Sequence, residues 1–245
     1  PLFNGNTDYA TFKNVDGTLF FNQSFQLEKW QRAARAAKEA ITACENLGMG
    51  LYQFPGTVFP LSDTTMIQMS VRNAVTEKWN KEIVWANPTS RAWQMQYSSM
   101  AHIDPNNAGN NSVHGTLAPS LKIVDQFYTR NGVPMDEDKT LDFSNKNQLR
   151  AGIYAERFNN IQNYQTARVH FDRENRFYAN VGFDGGIWFM ENSPSRSDEN
   201  TWTTQLRLGL FGSGLSIPVT TYYPKKLVNW KFAFKDGNSS HIEEY

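Results

Sequence analysis

Residues Gly115–Asp138 read GTLAPSLKIVDQFYTRNGVPMDED, and both ends of a short helix are written into them. Pro119 suits a first helical turn, where a missing N–H would have had no partner in any case. Leu121, Val124 and Tyr128 follow at spacings of three and four, which predicts one apolar stripe against a core. Asn131-Gly132 stops the helix with residues that tolerate a left-handed backbone, and Pro134 prevents a restart. Met135-Asp136-Glu137-Asp138 then reads as an acidic, solvated exit.

Working outward, Ser24 is placed to cap a long helix reaching about Leu47, where Gly48 and Gly50 end it. Leu27, Trp30, Ala34, Ala37, Ile41, Cys44 and Leu47 form its near-heptad stripe, so Trp30 is expected in a core. Residues 1–23 read as an irregular lead-in. A second helix is expected from Ser62 or Asp63 to about Trp79, with Ile67, Val71, Ala74 and Lys78 in step. Glu82–Ala86 is a short β-prone run. Later, Thr166–Asp172 alternates like a strand and Arg173–Ala179 suits a helical turn and a half. Asn180–Phe183 and Ile187–Met190 read as the arms of a hairpin around Asp184-Gly185-Gly186.

The composition excludes several classes. Among 245 residues, 24 Lys plus Arg balance 24 Asp plus Glu, so the basic surface that nucleic acid requires is lacking. No apolar run is long enough to span a membrane. One cysteine, Cys44, allows neither a disulfide framework nor a CxxC metal pair. His102, His114, His170 and His241 never fall at zinc-site spacing. The loop from Asp104 hints at calcium, but Ala108 and Gly115 stand where an EF-hand needs ligands. Gly209–Gly214 lacks the Lys-Ser/Thr ending of a phosphate loop. Asp104, Asp136, Glu156, Asp172 and Asp184 are the carboxylates open to a glycosidase pair, and no spacing selects two of them. Neither metal, nor cofactor, nor catalysis is expected.

Aromatic residues make up 14% of the chain. Packing accounts for most of them, but Trp85–Asn111 combines few aliphatics with several amides, one Arg and three large aromatics. So long a loop points to binding. Trp85, Trp93 and Tyr97 are candidate stacking faces for sugar, and Asn87, Arg91 and Gln94 candidate hydrogen-bonding groups. Trp188 on the hairpin arm and Trp202 in a polar surface loop complete the candidate set.

Several segments resemble the SusD/RagB family of glycan-capturing outer-membrane lipoproteins. They are the APSLKIVDQFY helix running into NGVPMDED, Arg176–Gly186 (RFYANVGFDGG), Glu28–Tyr52, Asn80–Asn87 (NKEIVWAN) and Tyr222–Val228 (YYPKKLV). The resemblance implies a mainly α fold with long irregular loops and a few short strands, in a tetratricopeptide-like superhelical arrangement. Residues 1–245 are read as a single such body, a fragment without the family's N-terminal and C-terminal helical parts. It further implies a surface-exposed protein of polysaccharide utilisation and nutrient uptake on the outer membrane, held there by a lipid anchor outside this chain. Such a protein binds glycan without chemistry and delivers it to a TonB-dependent transporter of the SusC type. The alternatives are a protein-interaction scaffold within a transport complex and, third, a glycoside hydrolase.

Overall fold

The computed structural model describes residues 4–87, 91–101, 103, 115–191, 197–199, 201–204 and 218–231, with the backbone of 233–234 and 240–241. The loop from Asp104, Gly209–Gly214 and the histidines at 102 and 114 lie outside the described residues. Residues 1–50 and 51–245 make two compact units. The chain is helix-rich: helices α1 (Leu27–Asn46), α2 (Asp63–Asn73), α3 (Ala92–Ser99), α4 (Leu121–Gln126) and α5 (Asn175–Asn180) carry most of the regular structure. Among the described residues, six strands of two or three residues pair antiparallel: β1 (Leu149–Ala151) with β2 (Gln165–Ala167), β3 (Ile187–Trp188) with β4 (Trp202–Thr203), and β5 (Ala233–Phe234) with β6 (Ser240–His241).

In the first unit, Asn4 clamps the entry to α1. Its amide donates to Gln26 O at 3.0 Å and accepts from Gln26 N–H at 2.7 Å. Gln26, not Ser24, precedes the first helical residue; Ser24 O instead accepts from Lys29 Nζ. At the other end Gly48 has φ +78°, its N–H bonding to Glu45 O while Met49 N–H bonds to Cys44 O. That is a Schellman ending, which requires the left-handed residue glycine supplies. No residue of α1 is buried, so the expected core role of Trp30 is not met.

The second unit is built around three groups of buried side chains. Trp188, Met190, Tyr223 and Val228 pack with Met100–Ala101; Phe177, Tyr178 and Phe183 pack with Val124 and Tyr222; Phe54, Met69 and Phe189 pack with Trp230. Gly182 lies where a Cβ would sit 2.4 Å from the Trp188 ring, so the close approach needs glycine. Ser62 caps α2, accepting from Thr65 N–H, and Ser120 caps α4, accepting from Ile123 N–H. Pro119 therefore stands before the cap. The α4 helix ends at Gln126 because Arg173, itself buried, donates to Val124 O and Phe127 O at 2.8 Å each. Of the predicted α4 stripe only Val124 is buried.

The inward face of α2 is polar. Thr65, Gln68, Met69, Arg72 and Asn73 are buried, whereas Ile67 faces out. Arg72 donates to Val228 O through Nε and Nη2 (3.1 and 2.9 Å) and to Phe189 O through Nη1 (2.9 Å), above the Trp188 ring. Lys225 approaches the same ring and donates to Ile187 O at 3.0 Å. Asp138 is not solvated either. Its carboxylate accepts from the hydroxyls of Thr129 (2.6 Å) and Thr140 (2.7 Å) and from Asn131 Nδ2 (3.0 Å), and these bonds hold it well below the usual carboxylate range.

The expected strands at 82–86 and 166–172 are a turn and, after β2, a 3-10 helix at Arg168–His170. The turn at Asp184-Gly185-Gly186 forms, but β3 answers to β4; Gly182 bridges Tyr223 instead. Both departures come from long-range pairing, which local pattern does not encode.

Candidate functional site

Beyond α2 the chain is folded back by two asparagines. Glu77 N–H bonds to Asn73 O, and Asn80 Nδ2 donates to Ala74 O (3.1 Å) and Glu77 O (2.8 Å). This tight return leaves Trp79 at φ +55°, a region bulky residues seldom occupy, and turns its ring outward with 67% exposure. The segment expected to be one binding loop contains α3 instead. Helix α3 is tied to the end of α2 through Asn229, whose N–H bonds to Gln96 Oε1 (2.9 Å) and whose Nδ2 donates to Thr76 O (3.0 Å).

A groove of about 470 Å³ opens between these pieces. Gln96, Leu227, Trp79, Asn87, Arg91 and Met95 line it. Glu77 and Lys78 also line it. A larger hollow of about 890 Å³ lies beside α4, where three of the charged groups serve the fold: Asp125 pairs with Lys146 at 2.9 Å, and Asp138 accepts the hydrogen bonds described above. The groove beside α3 is the better candidate because it sets an exposed indole, Trp79, in one lining with amide and guanidinium groups.

The predicted residues are divided by helix geometry. Arg91, Ala92, Met95 and Gln96 share the groove side of α3, while Trp93 and Tyr97, four apart, share another. Trp93 and Tyr97 meet edge to face, centroids 6.3 Å apart, with Trp93 49% exposed. Gln94 accepts from Arg91 Nη1 at 3.3 Å. Trp85 is 85% exposed on the short return that delivers Ala86 and Asn87 to the groove. Two candidates are corrected. Trp188 has no exposure and packs in the core, with Arg72 and Lys225 against its ring, so it offers no face to a ligand. Trp202 pairs opposite Trp188 on β4 and is partly buried against the same core group rather than standing in a surface loop.

Sequence reading missed Trp79, which it placed at the end of a helix. A signal was present: Trp79 follows Lys78 and so falls off the stripe of Ile67, Val71, Ala74 and Lys78. Three of the carboxylates considered for hydrolysis are engaged elsewhere, and Asp104 lies outside the described residues. Glu156 and Asp172 both reach Arg150, at 2.7 and 3.7 Å, and Asp184 accepts from Tyr164 OH at 2.7 Å. Among the described residues, no group of three His, Cys, Asp or Glu side chains is placed to hold a metal, and no helix is long and apolar enough to cross a membrane.

The fold is shared with a solved structure described as selenomethionine BT4246, at 22% sequence identity and a TM-score of 0.66. That similarity covers 100% of this chain and 45% of the other, so this chain spans less than half the length of the structure it matches. Comparison with curated proteins returns no match. The SusD family model matches residues 81–245, a span that contains Asn87, Arg91 and all of α3; the chain belongs to the SusD family.

Proposed function

We propose that this protein binds oligosaccharide without catalysis, in the groove between the end of α2 and α3, as part of nutrient uptake. The observation that carries the reading is the outward Trp79 ring, set in a groove with Asn87 and Arg91, in a member of the SusD family. A sugar C–H face stacks on an indole while its hydroxyls take up amide and guanidinium partners. Trp85, and Trp93 with Tyr97 and Gln94 on the adjoining face of α3, extend the surface for a longer chain.

In this reading the protein works at the cell surface of the outer membrane, attached by a lipid anchor, and passes glycan to a TonB-dependent transporter of the SusC type. The helices belong to a tetratricopeptide-like superhelix. A protein-interaction role is the second reading, favoured by the aliphatic share of the lining from Val75, Ile83, Met95 and Leu227.

Titration of the chain against a broad glycan panel by calorimetry tests the proposal. Trp79→Ala is expected to lower affinity for the bound glycan about tenfold, ~1.4 kcal/mol, with Trp85→Ala and Trp93→Ala costing less for short oligosaccharides. Full affinity in all three folded variants would move the site away from this groove. Transporter binding with no glycan bound at all would favour the interaction role.

A further inference from the structure

The charge of the groove is unbalanced. Lys78 and Arg91 line it against a single acid, Glu77. Elsewhere on this unit Arg130, Arg150, Arg157 and Arg176 each pair with an Asp or Glu. Arg91 makes no such pair among the described residues; its Nη1 donates to the neutral Gln94 amide. Its place makes the imbalance greater. Arg91 immediately precedes α3, whose first turn carries no acidic residue, so its positive charge adds to the positive end of the helix. The Trp79 ring, exposed and held in a backbone conformation unfavourable for its type, lines the same groove, as does Asn87.

We propose that the groove selects sugar chains carrying a carboxylate, the pyranose lying on Trp79 and the carboxylate meeting Arg91 and Lys78. This deepens the glycan-binding reading above and rests on it. A guanidinium with open donors matches a carboxylate in two-point geometry, and a neutral sugar leaves that charge unmet.

The test titrates the 245-residue chain with oligogalacturonides, glucuronate-containing oligosaccharides and sialylated oligosaccharides, each beside its carboxyl-reduced counterpart, at low and high salt. At least one carboxylated member is expected to bind about tenfold more tightly than its reduced form. Added salt erodes that preference. Arg91→Gln brings the pair to within about twofold, whereas Trp79→Ala weakens both forms alike. Reduced forms binding as well as or better than carboxylated ones throughout the panel would overturn the inference and leave glycan binding standing. A preference undiminished in both Arg91→Gln and Lys78→Gln would overturn the assignment to these cations. Absence of binding to every member, by folded protein, would overturn the glycan reading and the inference together.

Discussion

Replacing Arg72 by Ala is expected to destabilise the protein by about 2–4 kcal/mol, read as a lower urea midpoint with little change in slope. The guanidinium is buried and serves two main-chain carbonyls, Val228 O and Phe189 O, that come together from separate stretches of chain. Truncation leaves both without their donor, and each orphaned buried carbonyl costs about 1–3 kcal/mol. One effect runs the other way. Burial pushes the Arg72 pKa down to about 9, so the native fold already bears a desolvation cost that the mutation removes. Lys225, whose pKa is pushed well down by burial first and by Arg72 second, also loses a repulsive neighbour. These gains keep the loss below the sum for two carbonyls. Arg72→Lys should fall between wild type and Ala, since an ammonium lacks the fork that reaches both acceptors. Because Val228 precedes Asn229, which ties α2 to α3, Arg72→Ala should weaken glycan affinity as well. A stability loss under about 1 kcal/mol would show that this cation does not hold the segment in place.

A second large effect is expected in acid. His170 is buried between the Thr166 hydroxyl and Tyr222 OH, each 2.8 Å from a ring nitrogen. Thr166 Oγ1 gives its proton to Asp184 O, so Nδ1 of His170 carries a hydrogen and donates to Thr166, leaving Nε2 to accept from Tyr222. The ring is thus neutral and fully used. Burial, and then the nearby Arg173 charge, push its pKa from 6.5 down to about 3. As pH falls through 6.5 the unfolded chain takes up a proton that the native chain refuses, so the native state loses stability, by up to about 1.4 kcal/mol per pH unit. The loss continues until the native pKa near 3 is reached. His170→Gln offers an amide in place of both ring nitrogens but no titration. It is expected to be less stable than wild type at neutral pH and to lose about 1.6 kcal/mol less between about pH 6.5 and 5, a range above the carboxylates. Equal pH slopes in the two proteins would mean that His170 does not titrate on unfolding in this window.

Local signals in the sequence are strong where structure is decided locally. The cap at Ser62, the glycine stop at Gly48 and the turn at Gly185 all follow from what one residue does to its own backbone, whereas Pro119 reads as part of a helix that Ser120 in fact caps. The α2 face was not legible because apolar periodicity is blind to a buried stripe made of Thr65, Gln68, Arg72 and Asn73. Those residues face inward for acceptors far along the chain, such as Val228 O and Asn159 Oδ1. Part of the candidate groove was legible, since Asn87 and Arg91 both line it. Trp188 was not, because an indole in a strand reads alike whether it faces solvent or, as here, is buried with two cations near its ring. Trp79 was not, because only the fold-back at Asn80 turns it outward.

The most direct test of the groove is oxidative footprinting of the tryptophans, read by mass spectrometry, with and without a bound oligosaccharide. The structure predicts protection centred on Trp79, a smaller effect at Trp85 and none at Trp188, which solvent does not reach in either state. Protection confined to the Trp93 and Tyr97 face, or absent from Trp79 in protein shown to be saturated with glycan, would contradict the assignment of this groove as the binding site.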